Sequence, residues 1–256
     1  MGKNNYTKGD YEMKRIIVLM LVLATYKDLF SNDLLTKQSV NNYFTTLLDW
    51  PDQYWSEGRS TALIENGYDR LHYEQVKIWD NDLSTAWVEG VKGEGIGEWV
   101  MTPVNGNYQS LYYDNEIATK KISLRLNIFN GFCKNTSTFK NNNRVKKAKI
   151  TLYEVPLRLG QHETVALEEP YITFETYIEL VDSNTEQKFY FNFYPKASYS
   201  DGFLCLFIQL TILEVYPGEK YNDTCISELH ATADVVKEKK PEVTKRKKSP
   251  FRKDKE

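Results

Sequence analysis

The segment Phe203–Tyr216 carries large aliphatic residues at alternate positions, which is the pattern of a strand with one face in a core. Partly alternating segments precede and follow it. They span residues 99–104, 121–128, 145–155, 171–181, 188–194 and 226–231. About eight strands with turn-rich joints and few helical patterns predict an all-β chain folded as an antiparallel β-sandwich.

The two ends of the chain differ from this middle part. Met13, Lys14 and Arg15 precede an apolar run over 16–24, which predicts a signal peptide or anchor within 1–30 and a true start at Met13. Residues 31–55 have apolar spacing typical of a short helical segment before the domain. We therefore expect a leader, a helical pre-domain segment, a β-sandwich over 56–233 and a tail over 234–256.

Charge is concentrated in the tail. Residues 237–256 contain ten Lys or Arg and four Asp or Glu, a net charge of +6, whereas the whole chain carries −2. This composition predicts a disordered tail that could contact anionic lipid or wall polymer. Since the basic residues lie outside the predicted core, we expect no nucleic-acid-binding domain.

No catalytic motif is visible. His72, His162 and His230 are the three histidines, and none lies in a hydrolase or metalloprotease motif. Glu89, Glu94 and Glu98 sit in a glycine-rich stretch that we interpret as a solvated loop, too loose to hold an acid and a base. The sequence predicts that the chain is not an enzyme.

Three cysteines are too few for a disulfide framework. Cys205 lies in an apolar run and is expected to be buried. Cys133 and Cys225 are placed in loop-like contexts, and the sequence leaves a disulfide between them open.

Several polar motifs occur in a fixed order along the middle of the chain. They comprise the acidic turn with Ala-Trp at 80–90, the glycine-rich stretch at 93–100, segments 128–132 and 141–150, and the stretch 215–229. In this order they resemble the discoidin family, also called coagulation factor V/VIII type C domains, and within it the NADase-type glycan-binding domain. The resemblance covers about residues 56–231 and implies a discoidin-like jelly roll.

The resemblance also implies a structural Ca²⁺. The matching side-chain ligands are Asp80 and Thr85, the matching carbonyls belong to Lys77 and Asp82, and Ser227 and Glu228 supply a closing carbonyl and carboxylate. Hard oxygens of this number suit Ca²⁺. An alternative stays open, in which Asp80 only caps its turn and Glu228 pairs with a lysine such as Lys77.

The predicted function is that of a carbohydrate-binding module of a secreted, periplasmic or cell-envelope protein. Sugar sites combine aromatic faces with polar groups. Two candidate loops fit this description, and their residues are Tyr68, Arg70, His72, Asn141, Asn142 and Arg144. Pairing of Arg144 with a nearby acid is the competing interpretation. The alternative function is a structural envelope protein whose basic tail makes the contact.

Overall fold

The computed structural model describes residues 35–42, 58–106, 120–159, 164–196 and 203–236. The apolar run of the predicted leader and the segment 237–256 lie outside these ranges. The described residues form nine strands: β1 Trp87–Val88, β2 Trp99–Asn105, β3 Ile122–Asn130, β4 Asn143–Leu159, β5 Thr164–Ala166, β6 Tyr171–Glu179, β7 Gln187–Phe193, β8 Phe203–Tyr216 and β9 Thr224–Val235. A 3₁₀ helix, η1, spans Gln75–Ile78, and a short helix, α1, spans Thr136–Asn141.

The strands form two facing layers, so the predicted β-sandwich is confirmed. One layer has the order β4–β8–β2, with β5 and β6 paired to β4, and the other has the order β9–β3–β7, with β1 paired to β9. Antiparallel pairing prevails within each layer. Short parallel contacts of β9 with the ends of β2 and β4 join the layers at their edges.

The main core lies between the layers, where alternate residues of the long strands meet. β3 contributes Ile122, Leu124, Leu126 and Ile128, and β8 contributes Leu204, Leu206, Ile208, Leu210 and Ile212. All of them are buried. Because side chains alternate across a strand, the period-two pattern of the sequence assigns these residues to one face correctly.

A second apolar cluster lies on the outer face of the β4–β8–β2 layer. Phe207, Tyr153 and Met101 are buried there beneath Leu35 and Val40 of the segment 35–42. Residues 37–42 of this segment are helical, and the backbone N–H of Ala166 donates to the Asn41 side chain at 2.7 Å. The pre-domain segment therefore shields a sheet face that would otherwise expose aromatic surface.

Several boundaries differ from the sequence-based expectations. β9 continues to Val235, because Val235 and Asp234 pair with Ile122 and Ser123 of β3, so the domain end predicted at residue 233 is too early. The short strand β5 and the helix α1 were not predicted. Among the residues described, no helix is long and apolar enough to cross a membrane.

Candidate metal centre and ligand-binding loops

The acidic turn after η1 is organised around the carboxylate of Asp80. Its Oδ1 accepts from the backbone N–H of Asp82 at 3.0 Å, and Asn81 between them has a φ of 59°. Asn tolerates this left-handed backbone better than most residues. The chain then enters β1, where Trp87 is fully buried and its indole N–H donates to the Thr61 carbonyl at 2.9 Å. The turn is thereby anchored to the core on one side.

Oxygen atoms crowd around the hydroxyl of Thr85. Its Oγ1 lies 2.8 and 3.0 Å from the two carboxylate oxygens of Asp80, and 3.0 Å from the Asp82 carbonyl oxygen. The single hydroxyl proton can serve one of these three acceptors at a time. Such a cluster of carboxylate, hydroxyl and carbonyl oxygens is the donor chemistry that Ca²⁺ prefers.

Glu228 reaches the same turn from β9 because a β-bulge lies beside it. Pairing of β3 with β9 shifts from Phe129↔Glu228 to Asn130↔Ile226, which leaves Ser227 as the extra residue. The Ser227 hydroxyl accepts from the backbone N–H of Cys133 at 2.9 Å, and this bond holds the bulge in place.

The carboxylate of Glu228 is buried and poorly satisfied. Neither oxygen accepts a hydrogen bond of good geometry, although Oε2 lies 2.7 Å from Nε2 of His230. Burial raises the pKa of Glu228, the positive field of His230 opposes this rise, and the negative charge of Asp80 adds to it. A buried carboxylate that faces a second carboxylate is costly unless a cation lies between them.

These residues fit a calcium ion in chemistry. Asp80, Thr85 and Glu228 would supply side-chain oxygens, and Asp82 and Ser227 carbonyls. Among the described residues no three His, Cys, Asp or Glu side chains could hold a metal alone, so the set depends on hydroxyl and carbonyl oxygens. The Lys77 ammonium lies 3.5 Å from the Asp80 carboxylate. It makes no ion pair with Glu228, which the alternative interpretation requires; Glu228 contacts His230 instead.

The first candidate loop presents a cluster of three aromatic rings. The rings of Tyr68 and His72 lie 4.4 Å apart at 32°, and the Tyr73 ring packs edge-on against His72 at 4.5 Å. Tyr68 is 54% exposed. Asp69 fixes the turn below them by accepting from the backbone N–H of Leu71 at 2.8 Å.

Ordered contacts hold the base of this loop. Glu74 is buried and forms a bidentate ion pair with Arg59, and the Tyr73 hydroxyl donates to Glu65 at 3.1 Å. Burial first, and then the Glu65 carboxylate, raises the pKa of Tyr73 well above its ordinary value. Arg70 lies between the stacked residues in the sequence, on the exposed side of the turn. Tyr68, Arg70 and His72 therefore stand on a structured base.

The second candidate group behaves differently. Asn141 ends α1, Asn142 follows as its C-cap, and Arg144 belongs to β4, so these residues do not form one loop as the sequence suggested. The Asn142 side chain donates to the Thr138 carbonyl at 2.8 Å, and the Asn141 side chain donates to the Ser137 hydroxyl at 3.2 Å.

Arg144 is a buried structural residue. Nε and Nη2 bind the two carboxylate oxygens of Asp182, while Nη1 donates to the carbonyls of Asn142 at 2.9 Å and Pro217 at 3.0 Å. Its guanidinium also lies 5.2 Å from the ring centre of Phe139. With these contacts the arrangement favours the competing interpretation, in which Arg144 pairs with an acid.

Three residues at this end of the sandwich were not singled out from the sequence. Tyr73 and Glu65 support the aromatic group, and Tyr221 is 43% exposed with the Lys220 ammonium 4.8 Å from its ring centre. The Tyr-Asn-Asp run at 221–223 was a signal for the last of these, since tyrosines in turns are frequent ligand contacts.

The interpretation of the glycine-rich stretch as a solvated loop is wrong for two of its acids. Glu89 is fully buried and accepts from the backbone N–H of Val91 at 2.8 Å and of Thr224 at 3.2 Å. Glu98 accepts from the Ser60 hydroxyl at 2.7 Å and from that of Thr61. Both carboxylates accept hydrogen bonds, and these bonds connect the glycine-rich stretch to Thr224 of β9 and to Ser60 and Thr61.

The cysteines are free thiols. Cys205 is buried in the outer cluster as expected, and burial raises its pKa to about 12. Cys225 lies in β9 and is fully buried, rather than in a loop. Cys133 is half-buried, and its thiol lies 3.3 Å from the Asn130 carbonyl oxygen.

Comparison with known families decides the relationship. Residues 54–232 match the NAD glycohydrolase translocation F5/8 type C domain. The chain belongs to this family. The match covers the sandwich except for the last residues of β9. It describes a translocation-type domain and no catalytic one, although its name implies an associated enzyme elsewhere.

Other comparisons add little. No curated protein matches the chain. Among solved structures, the arabinofuranosyltransferase AftD from Mycobacteria aligns at 9% identity with a TM-score of 0.33, over 69% of this chain and 11% of that one. A likeness of this degree carries no functional argument.

Proposed function

We propose that the chain is a non-catalytic carbohydrate-binding module of an exported or cell-envelope protein, which recognises a glycan through loops of its β-sandwich. The observation that carries the proposal is the tilted Tyr68–His72 ring pair, which is exposed on a turn fixed by Asp69 and Glu74. Aromatic faces held rigidly at the surface are suited to the apolar faces of sugar rings. Arg70 and the acid Glu65 would supply polar contacts beside them.

Calcium has a structural part in this proposal. An ion held by Asp80, Thr85 and Glu228 would connect the turn after η1 to the bulge of β9. The turn begins eight residues after His72, so the ion would stiffen the platform that carries the aromatic pair. Family membership supports export as well, since the family is described by translocation of an NAD glycohydrolase.

A glycan array with the full-length protein tests the proposal. We expect binding to a restricted set of glycans, loss of that binding in Tyr68→Ala and His72→Ala, and weaker binding after treatment with EDTA. Tyr177→Ala is the matched control, because Tyr177 is 65% exposed and lies on β6, in the other layer. Unchanged binding by both loop variants would contradict the proposed site.

The second candidate is a structural envelope protein that attaches through its tail, and the charge of +6 over residues 237–256 favours it. A protein truncated after Val236 separates the two. Retained glycan binding supports the loop module, and loss of all binding supports the tail.

A further inference from the structure

Glu228 and His230 lie next to each other on the outer face of β9. Leu229 and Ala231, which alternate with them along the strand, belong to the main core, so Glu228 and His230 point away from it. Oε2 of Glu228 lies 2.7 Å from Nε2 of His230. The Glu228 side chain is 3% exposed and the His230 side chain 37%. A half-exposed imidazole is therefore in contact with a buried carboxylate.

The acceptor oxygens on both sides of His230 are poorly satisfied. Among the described residues, four buried side-chain atoms make no hydrogen bond of good geometry, and three of them are oxygens of Glu228 and Asn127. Asn127 of β3 is directly opposite His230. Its amide nitrogen donates to Glu186 at 2.6 Å, which leaves the amide oxygen for another donor. Because directly opposite residues have Cβ atoms about 5 Å apart, the imidazole lies between two residues with open acceptors.

The same carboxylate also faces the acidic turn. The negative charge of Asp80 helps to raise the pKa of Glu228, so the turn lies close to it. Contact of one Glu228 oxygen with His230 leaves the other oxygen for the turn. His230 thus touches the one carboxylate that β9 contributes to the candidate calcium centre.

A residue that holds a metal ligand in place adds to the affinity of the site. A ligating carboxylate that is already fixed by a partner loses less side-chain freedom when the ion binds, and loss of such a partner weakens metal binding by about 10–100-fold. An imidazole N–H can donate to a carboxylate in the neutral ring as well as in the charged one. The role therefore requires no change in the charge of His230.

We propose that His230 positions Glu228 for the calcium ion, by holding one carboxylate oxygen on the β9 side so that the other is left to the ion. Asn127 supports the ring from β3. This inference rests on the calcium ion of the proposed function and adds a residue that does not itself contact the ion. A His230 that competed with the ion for Glu228 would have the opposite effect on affinity.

Titration calorimetry with Ca²⁺ on the metal-stripped full-length protein, at one pH for all variants, tests the proposal. His230→Leu, which removes the donor, should lose at least about tenfold in affinity. His230→Gln should stay within about threefold of the wild type, because its amide N–H can replace the imidazole donor. Thr232→Ala is the matched control and should bind as the wild type does, because Thr232 lies on the same face of β9, four residues from Glu228.

Equal affinity of His230→Leu and the wild type would overturn the proposal, and so would tighter binding by His230→Leu. A loss in His230→Gln as large as that in His230→Leu would also count against it, because the N–H would then not be the acting group. If Ca²⁺ gives the wild type neither heat nor a higher melting midpoint, the ion of the proposed function is wrong and this inference fails with it. If His230→Leu does not fold, His230→Ala decides by the same criteria.

Discussion

Arg144 and Asp182 form a bidentate ion pair, with Nε–Oδ1 at 3.0 Å and Nη2–Oδ2 at 2.7 Å. The pair connects the start of β4 to the connection between β6 and β7. Because Nη1 also donates to the carbonyls of Asn142 and Pro217, the one side chain holds three separate chain segments together.

Arg144→Ala should therefore lower the stability of the fold rather than affect glycan recognition alone. Two carbonyls and one carboxylate would lose their donor, and breaking a mostly buried ion pair costs about 2–4 kcal/mol. Urea unfolding measures the change. Lys146→Ala, which removes a half-exposed ion pair with Glu214, should change stability little, because solvent screens an exposed pair. Equal effects of the two variants would contradict the structural role of Arg144.

Calcium should stabilise the protein through Glu228. At a concentration 100-fold above its Kd, an ion that binds only the native state adds about 2.7 kcal/mol. Glu228→Gln should be as stable as the wild type or more stable in EDTA, because burial disfavours the charge, yet it should gain much less from Ca²⁺. Thermal melts and titration calorimetry check both statements.

Glu219→Gln serves as the control for this experiment, since Glu219 is exposed and its backbone N–H donates to the Lys140 carbonyl, outside the acidic turn. Its melting midpoint should respond to Ca²⁺ as the wild type does. If the melting midpoint of the wild-type protein is the same in Ca²⁺ and in EDTA, the calcium assignment is wrong.

Glu89 should make stability depend on pH. Burial raises the pKa of Glu89 above the ordinary value of 4.5. At pH values between the ordinary pKa and the raised pKa, the native state therefore binds the proton more tightly than the unfolded chain does. The contribution of protonated Glu89 to the free energy of unfolding is greatest below the ordinary pKa. It falls as pH rises from the ordinary pKa to the raised pKa of the folded state, and it is constant above that. Subtracting the unfolding free energy of Glu89→Gln from that of the wild type at each pH should show this decline. A difference that rises with pH above 4.5 would contradict it.

The position of a C-terminal truncation should decide its effect. Truncation after Val236 should leave the melting midpoint nearly unchanged, because the charged composition of 237–256 predicts little buried area. Truncation after Ala233 removes the pairing of Asp234 and Val235 with β3 and the bond from Val236 to Lys121, and should lower the midpoint by several degrees. Equal midpoints for the two truncated proteins would show that the pairing of Asp234 and Val235 with β3 does not stabilise the fold.

The sequence by itself determined the β-sandwich and the positions of its long strands. The alternation in β8 sends Leu206, Ile208 and Leu210 to one face, and a period of two is a local property that needs no knowledge of the partner strand. The ordered polar motifs likewise sufficed to indicate the family. Local signals could not place the end of β9, because residues 234 and 235 join the sheet only through pairing with β3.

Tertiary structure alone decided which polar residues are free to bind. Arg144 and Glu89 look like surface residues in the sequence, yet partners 38 and 135 residues away take up their side chains. The bulge at Ser227 and the burial of the Glu228 carboxylate also depend on register between distant strands. Burial and hydrogen bonding of a charged group are set by segments far along the chain, and no local pattern records them.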